Sequence, residues 1–363
     1  MVLPRYGSGS LSDIVPVLCA PGGTVVAPPW MPSCVHGAER VVLLLLDGLG
    51  WNQFQQRMSE MPSLREFEGG PITTIAPSTT AAALTSLVTG LPPAEHGLIG
   101  YRVDMGGTVM NVLRWGDSAG DLRGTFPPER VQACPPFLGL RVPVLSRAEL
   151  EGTGFTLAHL SGVKARGWRM PSSIAVGVRA ALDEGERFVY VYYDGVDKIA
   201  HERGFGEYYD AELRAADSLV ESIVDSLPAD TVLLVTADHG QVHVGSRVIA
   251  LDPDVQSLVS HQSGEGRFRW LHARRGRAED LRAAAAVHGD LAWVVGADQV
   301  VDEEWFGPRM GDVVRRRLGD VALVAREPVS FEDPAEAGGP PLICRHGSMT
   351  ADEMFVPLVA KVA

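Results

Sequence analysis

Three stretches of the chain are apolar without interruption, and each ends on an acid. Residues 41–46 read VVLLLL and stop at Asp47-Gly48, and residues 188–193 read FVYVYY and stop at Asp194-Gly-Val-Asp197. Residues 231–237 read TVLLVTA and stop at Asp238-His239-Gly240. Continuous rather than alternating apolar runs belong to strands buried on both faces, as in parallel sheets covered by helices. Amphipathic stretches rich in Ala and Leu, such as 207–227, lie beside these runs. The pattern therefore predicts an α/β fold with a central, mostly parallel sheet sandwiched by helices. In such sheets sites form beyond the carboxyl ends of the strands, and the acids stand there.

Two stretches fit this layering poorly. Residues 100–140 are rich in Gly, Pro and aromatics, and residues 245–340 mix short strand-like pieces (LAWVV, VALVA) with charged segments. The second is expected as an inserted cap over the edge of the sheet, with residues 1–363 forming one α/β domain. Arg315, Arg316 and Arg317 are expected on a solvated helix face. At 363 residues and 45% hydrophobic content the chain can bury a large core, which excludes low-complexity disorder. Its net charge of −13 repels a long polyanion, so a nucleic-acid polymer is not an expected partner. A small phosphorylated substrate stays compatible if metal ions reverse the field locally. Cys19, Cys34, Cys134 and Cys344 are widely spaced with no CxxC pair, which argues against a disulfide framework or a thiolate zinc site. The N-terminus has no basic start followed by an apolar core, and the six-residue run at 41–46 is too short to span a bilayer. These features predict a cytoplasmic protein with no membrane partner.

The candidate chemistry follows the strand ends. Asp47 offers a carboxylate to a hard metal or zinc, although Asp-Gly pairs also simply make turns. Pro77-Ser78-Thr79-Thr80 reads as a turn into a helix with Ala81 to Val88 as its body, stopped by Gly90 and Pro92-Pro93. A hydroxyl there stands at the positive end of the helix dipole, where a phosphate is also held; the plainer reading is a helix cap. If a helical turn follows Asp197, the i,i+4 spacing sets Asp197 and His201 side by side. Asp238-His239 supplies two adjacent ligands after a strand, and His346-Gly347 precedes the apolar FVPLVA at 355–360. Each element alone has a structural explanation. Three aspartates and three histidines without a thiolate, together with a hydroxyl at a helix start, indicate a two-metal hydrolytic site. Two ions roughly 3.5–4 Å apart can activate a nucleophile and clamp both oxygens of an in-line displacement.

This motif set resembles the alkaline phosphatase superfamily, in its type I phosphodiesterase/nucleotide pyrophosphatase branch. The shared elements are Asp47-Gly48 at a strand end, Thr80 eight residues before Val-Thr-Gly-Leu (88–91), and Pro-x-x-His-Gly (93–97). Asp197-x-x-x-His201, Asp238-His239-Gly240 and His346-Gly347 complete it. The resemblance implies an alkaline-phosphatase-like fold with two divalent ions, Mn²⁺ or Zn²⁺. Asp197, His201 and His346 would hold one ion, and Asp47, Asp238 and His239 the other, with Thr80 as the nucleophile bridging towards it. Ser78 and Thr79 compete with Thr80 for that role, and the register to Val-Thr-Gly-Leu favours Thr80. His243 does not match a family position and is taken as structural. Many members of the branch carry an asparagine three residues after the nucleophile; here Ala83 stands there, so Asn52 or a backbone N–H is expected to hold the phosphoryl oxygen. A sulfatase is excluded, because Thr80-Ala81-Ala82-Ala83 lacks the Cys/Ser-x-Pro-x-Arg motif.

Within the branch, PRYGSGSLSDIVP, PSTTAAALTSLVTGLPPAEHGLIGYR and DGVDKIAHERG look like the actinobacterial cyclic di-AMP phosphodiesterases. That resemblance implies hydrolysis of cyclic di-AMP through linear pApA to AMP. Tyr101 and Trp115 are candidates for stacking on a base, or else core residues. The competing readings are a general nucleotide pyrophosphatase/phosphodiesterase, a phosphomonoesterase or phosphonate hydrolase on the same metals, and a silent nucleotide-binding sensor. The lack of an arginine in the motif segment beside Thr80 favours diesters over monoesters.

Overall fold

The computed structural model describes residues 1–20, 25–336 and 341–363. Eleven strands matter for the site: β1 (Arg40–Leu46), β2 (Glu68–Thr73), β3 (Pro143–Arg147), β4 (Lys164–Trp168), β5 (Phe188–Tyr193) and β6 (Thr231–Thr236), then β7 (Val259–Glu265), β8 (Phe268–Ala273), β9 (Ala292–Gly296), β10 (Val321–Ala325) and β11 (Phe355–Val362). The central sheet runs β2-β11-β6-β1-β5-β3-β4. From β6 through β4 every pairing is parallel, and only β11 runs against its neighbours. The mostly parallel α/β layering expected from the apolar runs is what the chain adopts.

All six apolar residues of β1 are buried, as are those of β6. Each such side chain contributes about 1.5–3 kcal/mol on leaving water, so this centre is the least negotiable part of the fold. The register sets the strand ends level: Leu45 pairs with Thr236 and Leu46 with Tyr193. Asp47, Asp238 and the turn after β5 therefore emerge side by side.

Helix α1 (Thr80–Thr89) is buried along almost its whole length. Its polar residues survive burial by bonding backward, with Thr85 Oγ1 donating to the Ala81 carbonyl and Thr89 Oγ1 to that of Thr85, both at 2.7 Å. Gly90 ends it in the left-handed conformation. Helices α2 (Ile174–Asp183), α3 (Gly195–Arg203) and α4 (Glu207–Ser226) follow β4 and β5, and α4 covers the amphipathic stretch read from the sequence.

The two stretches outside the layering carry antiparallel sheets, beside a short parallel pair of Val248–Ile249 with Ser330–Phe331. Residues 102–121 form a four-stranded meander beginning with Arg102–Asp104. Within 245–340, β7-β8-β10-β9 form a second four-stranded sheet, with its own apolar cluster that includes Val255, Leu271, Leu281 and Phe331. One expectation needs correction, and one open alternative is decided. Arg315 and Arg316 are exposed, but Arg317 is 9% exposed and donates to the Gly97 carbonyl at 2.5 Å, because its long stem lies in the interface with the 93–97 turn. Trp115 is fully buried, with Nε1 donating to the Phe126 carbonyl at 2.7 Å; it packs the core and is not free to stack on a base.

His96 of the same turn is a core residue. Its Nδ1 accepts from the Leu98 N–H at 3.2 Å, so the proton lies on Nε2, which faces Ser86 Oγ at 2.8 Å. Burial pushes its pKa down to about 3. The unfolded chain, with a His pKa of about 6.5, binds this proton more readily. Stability is therefore expected to fall as pH drops from 6.5 towards 3, by on the order of 4 kcal/mol in full. Urea denaturation across that range should show a shallower pH slope in His96→Asn than in wild type; equal slopes would exclude His96 as the source.

Candidate active site

The site is built at the level edge of β1, β5 and β6. Asp47 follows β1, and its backbone N–H continues the ladder to the Tyr193 carbonyl at 2.9 Å. The chain then turns at Gly48, whose φ is +76°, and a Cβ there would stand 2.9 Å from the Asp197 Cα. Only glycine lets the first strand end approach helix α3 this closely. Asp238 is fully buried and its Oδ1 accepts from the Gly48 and His239 N–H groups, both at 3.0 Å. Tyr192 donates its hydroxyl to Asp47 Oδ2, and Gln241 Nε2 donates to Asp197 Oδ1 at 2.5 Å.

Helix α3 does begin after Asp194, and its pitch sets His201 Nε2 3.2 Å from Asp197 Oδ1. Asp194 itself, although it ends a strand, is paired with Arg147 at 2.7 Å and with Lys198 at 2.5 Å, so it serves the scaffold.

His346 arrives from the opposite direction. Because β11 runs antiparallel, its start lies at the edge where β1 and β6 finish, and the segment before it delivers His346 there. The His346 ring stacks on His239 with centroids 3.5 Å apart, and its Nε2 lies 4.0 Å from Asp197 Oδ1. His239 Nε2 lies 3.1 Å from Thr80 Oγ1, 3.3 Å from Asp238 Oδ2 and 3.5 Å from Asp47 Oδ1. The seven residues singled out in the sequence thus meet in one place.

The three hydroxyls at the start of α1 are sorted by their partners. Ser78 Oγ donates to the Ser348 carbonyl at 2.6 Å and accepts from the Gly347 N–H. Thr79 is buried and bonds Glu265 of β7. Thr80 faces His239. The Asn52 amide, one expected donor to a phosphoryl group, is held by Asp352 at 2.6 Å, and Ala83 is fully buried.

Each of the three imidazoles is tethered through Nδ1 to a backbone carbonyl. His201 Nδ1 donates to Cys344 O at 2.7 Å, His346 Nδ1 to Ser78 O at 2.9 Å and His239 Nδ1 to Gly240 O at 3.1 Å. A carbonyl cannot donate, so the Nδ1 atoms carry the protons and every neutral ring presents its Nε2 lone pair to the carboxylates. That is the tautomer a metal ligand needs.

At His201 burial is outweighed by the adjacent Asp197, which raises the imidazole; the electrostatics of the remaining groups favour a bound cation. Burial raises the Asp47 carboxyl well above the usual range, and Asp238 and Asp197 add repulsion. Asp238 is also raised, chiefly by burial. Asp47 Oδ1 and Asp238 Oδ2 have no hydrogen-bond partner despite being buried, a costly arrangement unless a cation compensates it. His346 is pushed far below the usual imidazole value by burial and by His239 and His201, which keeps it neutral. Asp47, Asp238 and His239 offer ligand atoms within 4.8 Å of one another, and so do Asp197, His239 and His346. The donor set fits divalent metal.

Sequence reasoning missed the supports. Gln241 directly follows the Asp-His-Gly triplet, and Tyr192 lies two residues before Asp194, so proximity to the motifs was their only signal. Glu353 and Arg267 had none. They form a fully buried bidentate pair at 2.7 and 2.8 Å, and Glu353 also accepts from the Ser348 N–H at 2.9 Å. This pair joins the second sheet to the turn carrying His346. Two further arginines of that region are paired with acids: Arg269 with Glu336 at 2.9 Å, and Arg102 with Asp333.

A mostly parallel α/β sheet with an Asp/His cluster and a hydroxyl-bearing helix start at its carboxyl edge defines the alkaline-phosphatase-like class of hydrolases. Residues 41–349 match the type I phosphodiesterase / nucleotide pyrophosphatase family, and the chain belongs to that family; it is a metal-dependent phosphodiester hydrolase. Among solved structures it is similar to murine ectonucleotide pyrophosphatase/phosphodiesterase 5, at 14% identity and TM-score 0.66 over 88% of this chain and 87% of that one. An inactive variant of the murine protein, with threonine replaced by alanine, is similar at TM-score 0.64 and 14% identity with the same coverage, and was solved in complex with AMP. Phosphonoacetate hydrolase from Sinorhizobium meliloti, in complex with phosphonoformate, is similar at 17% identity and TM-score 0.61 over 92% of this chain and 90% of that one. Comparison with curated protein sequences gives no match. Among the described residues no helix is long and apolar enough to cross a membrane.

Proposed function

We propose that this protein is a two-metal phosphodiesterase that uses Thr80 as a covalent nucleophile and acts on a small nucleotide diester, cyclic di-AMP. The observation that carries the two-metal reading is the tethering of His201, His239 and His346 through Nδ1, which aims three Nε2 atoms at Asp47, Asp197 and Asp238. Asp197, His201 and His346 would hold one ion. Asp47, Asp238 and His239 would hold the other beside Thr80, an assignment that rests on the 3.3 and 3.5 Å approaches of His239 to Asp238 and Asp47. When bound, such ions lower the pKa of a hydroxyl and neutralise charge on the phosphoryl oxygens.

The protein's own part is placement. Thr80 Oγ1 attacks phosphorus and the P–O bond to the leaving 3′ oxygen breaks on the opposite side, so a phosphothreonine forms that carries the opened, linear dinucleotide when the ring is cut and one nucleotide when linear pApA is cut. Water then attacks from the vacated side and frees Thr80. The helix start contributes its dipole to the phosphoryl oxygens, which suits the loss of the family asparagine at Ala83. The lack of an arginine in the segment 77–88 beside Thr80 supports a diester. Cyclic di-AMP is supported by the three sequence blocks that look like the actinobacterial enzymes, and a nucleotide ligand by the AMP bound to the murine relative. Tyr101 follows Gly100, which abuts Pro77 and Glu265, and is the remaining candidate for base stacking.

Chromatography of products after incubation with cyclic di-AMP and Mn²⁺ tests this. Linear pApA followed by AMP is expected. Unchanged cyclic di-AMP beside rapid turnover of bis-p-nitrophenyl phosphate would leave a general phosphodiesterase. Faster turnover of p-nitrophenyl phosphate or a phosphonate would select the monoester or phosphonate reading.

A further inference from the structure

Away from the active site, a second group of metal-ligating side chains is assembled from parts of the chain that no motif includes. His261 of β7 and His272 of β8 are directly opposite in the antiparallel register, so their rings share a face and stack with centroids 4.0 Å apart at 13°. Asp104, at the end of the first meander strand, meets them from the other side. Its Oδ1 is occupied by the Gly106 and Gly107 N–H groups at 3.0 and 2.6 Å. Its Oδ2 is thereby aimed at His261 Nε2, 3.2 Å away, and at His272 Nδ1, 3.7 Å away.

The proton positions make this convergence informative. Ser260 Oγ donates its single proton to the His272 carbonyl at 2.9 Å. It must then accept from His261 Nδ1 at 3.0 Å. His261 Nε2 is the ring atom left to face the Asp104 carboxylate, 3.2 Å away. His272 is 7% exposed. Its Nε2 is engaged by Ser263 Oγ at 2.8 Å, leaving Nδ1 on the Asp104 side. The same arrangement, two stacked imidazoles beside a carboxylate, occurs in the active site at His239, His346 and Asp197.

We propose that Asp104, His261 and His272 form a third metal site, selective for Zn²⁺ or a similar first-row divalent ion, that clamps the β7–β8 hairpin to the 102–121 meander. The three ligand atoms lie within 4.8 Å of one another. Two imidazole nitrogens and one carboxylate oxygen are a zinc-type donor set rather than a magnesium or calcium one. The half-exposed His261 leaves room for water as a fourth ligand. The ion would thus tie the second sheet to the meander, apart from the Glu265 contacts with Thr79 and Gly347.

The test is metal counting. Wild-type protein and the His261→Ala and Asp104→Asn variants are saturated with Zn²⁺, freed of excess by gel filtration, and analysed by inductively coupled plasma mass spectrometry. Each variant is expected to hold one zinc fewer per chain than wild type while keeping the wild-type rate on bis-p-nitrophenyl phosphate. Asp104→Asn keeps the acceptor for Gly106 and Gly107, so it controls for any folding defect in His261→Ala. Co²⁺ substitution should give a visible absorption in wild type whose intensity falls in both variants by the share of one site, the remainder coming from the catalytic ions. Equal zinc content in folded wild type and variants would overturn the proposal, whatever the catalytic site holds. Asp238→Asn gives the separate count for that site.

Discussion

Thr80→Ala is expected to lose at least roughly 10³-fold in turnover while still binding substrate, because the covalent nucleophile is removed and the metal ligands are not. Thr80→Ser should keep part of the activity, since the hydroxyl stays at the helix start facing His239 Nε2, 3.1 Å away in wild type. Thr79→Ala and Ser78→Ala should cost far less, because those hydroxyls are turned to Glu265 and to the Ser348 carbonyl. Two successive in-line displacements at phosphorus give net retention. A chiral phosphorothioate diester reads that outcome directly. Inversion, or an essential Thr79 beside a dispensable Thr80, would reject the mechanism.

Removal of the metal should have an effect of comparable size. Exhaustive chelation is expected to abolish turnover, with recovery on adding Mn²⁺ or Zn²⁺, because Asp47 Oδ1 and Asp238 Oδ2 are buried with no partner in the protein. Asp238→Asn should keep the fold, since an amide oxygen can still accept from the Gly48 and His239 N–H groups. It should lose on the order of 100-fold or more in turnover, because one ion loses an anionic ligand. Full activity in protein shown to be metal-free by elemental analysis, or wild-type rates in Asp238→Asn, would contradict the metal assignment. Such an outcome would leave the zinc count at Asp104, His261 and His272 unaffected, since the two sites share no residue.

Much of this site was legible one element at a time. The apolar runs at 41–46, 188–193 and 231–237 can only be satisfied by burial on both faces, so they dictate strands and place Asp47 and Asp238 at strand ends. The i,i+4 spacing of Asp197 and His201 needs only a helix to become a pair, and Gly90 with Pro92-Pro93 limits the helix that begins at Thr80. Local chemistry was enough there, because each inference spans fewer than about ten residues and rests on backbone geometry.

The rest required the tertiary structure, for a physical reason in each case. Asp194 and Asp47 look alike at their strand ends, and Arg147, 47 residues away from Asp194 in the chain, together with Lys198 makes the first a scaffold residue. Trp115 and Arg317 have side chains that suit either a ligand or an interior, and packing against Phe126 and Gly97 decided for the interior. Ser78, Thr79 and Thr80 are chemically close to one another; their separation came from Ser348, Glu265 and His239, which reach them from three distant segments. His346 is the clearest instance. Nothing in its local sequence says that β11 runs antiparallel, yet that direction alone brings the residues before β11 to the edge where β1 and β6 end. The sequence by itself determined which side chains could do the chemistry, because strand burial and helix pitch are local. Strand direction and register, which depend on contacts hundreds of residues apart, decided that they meet.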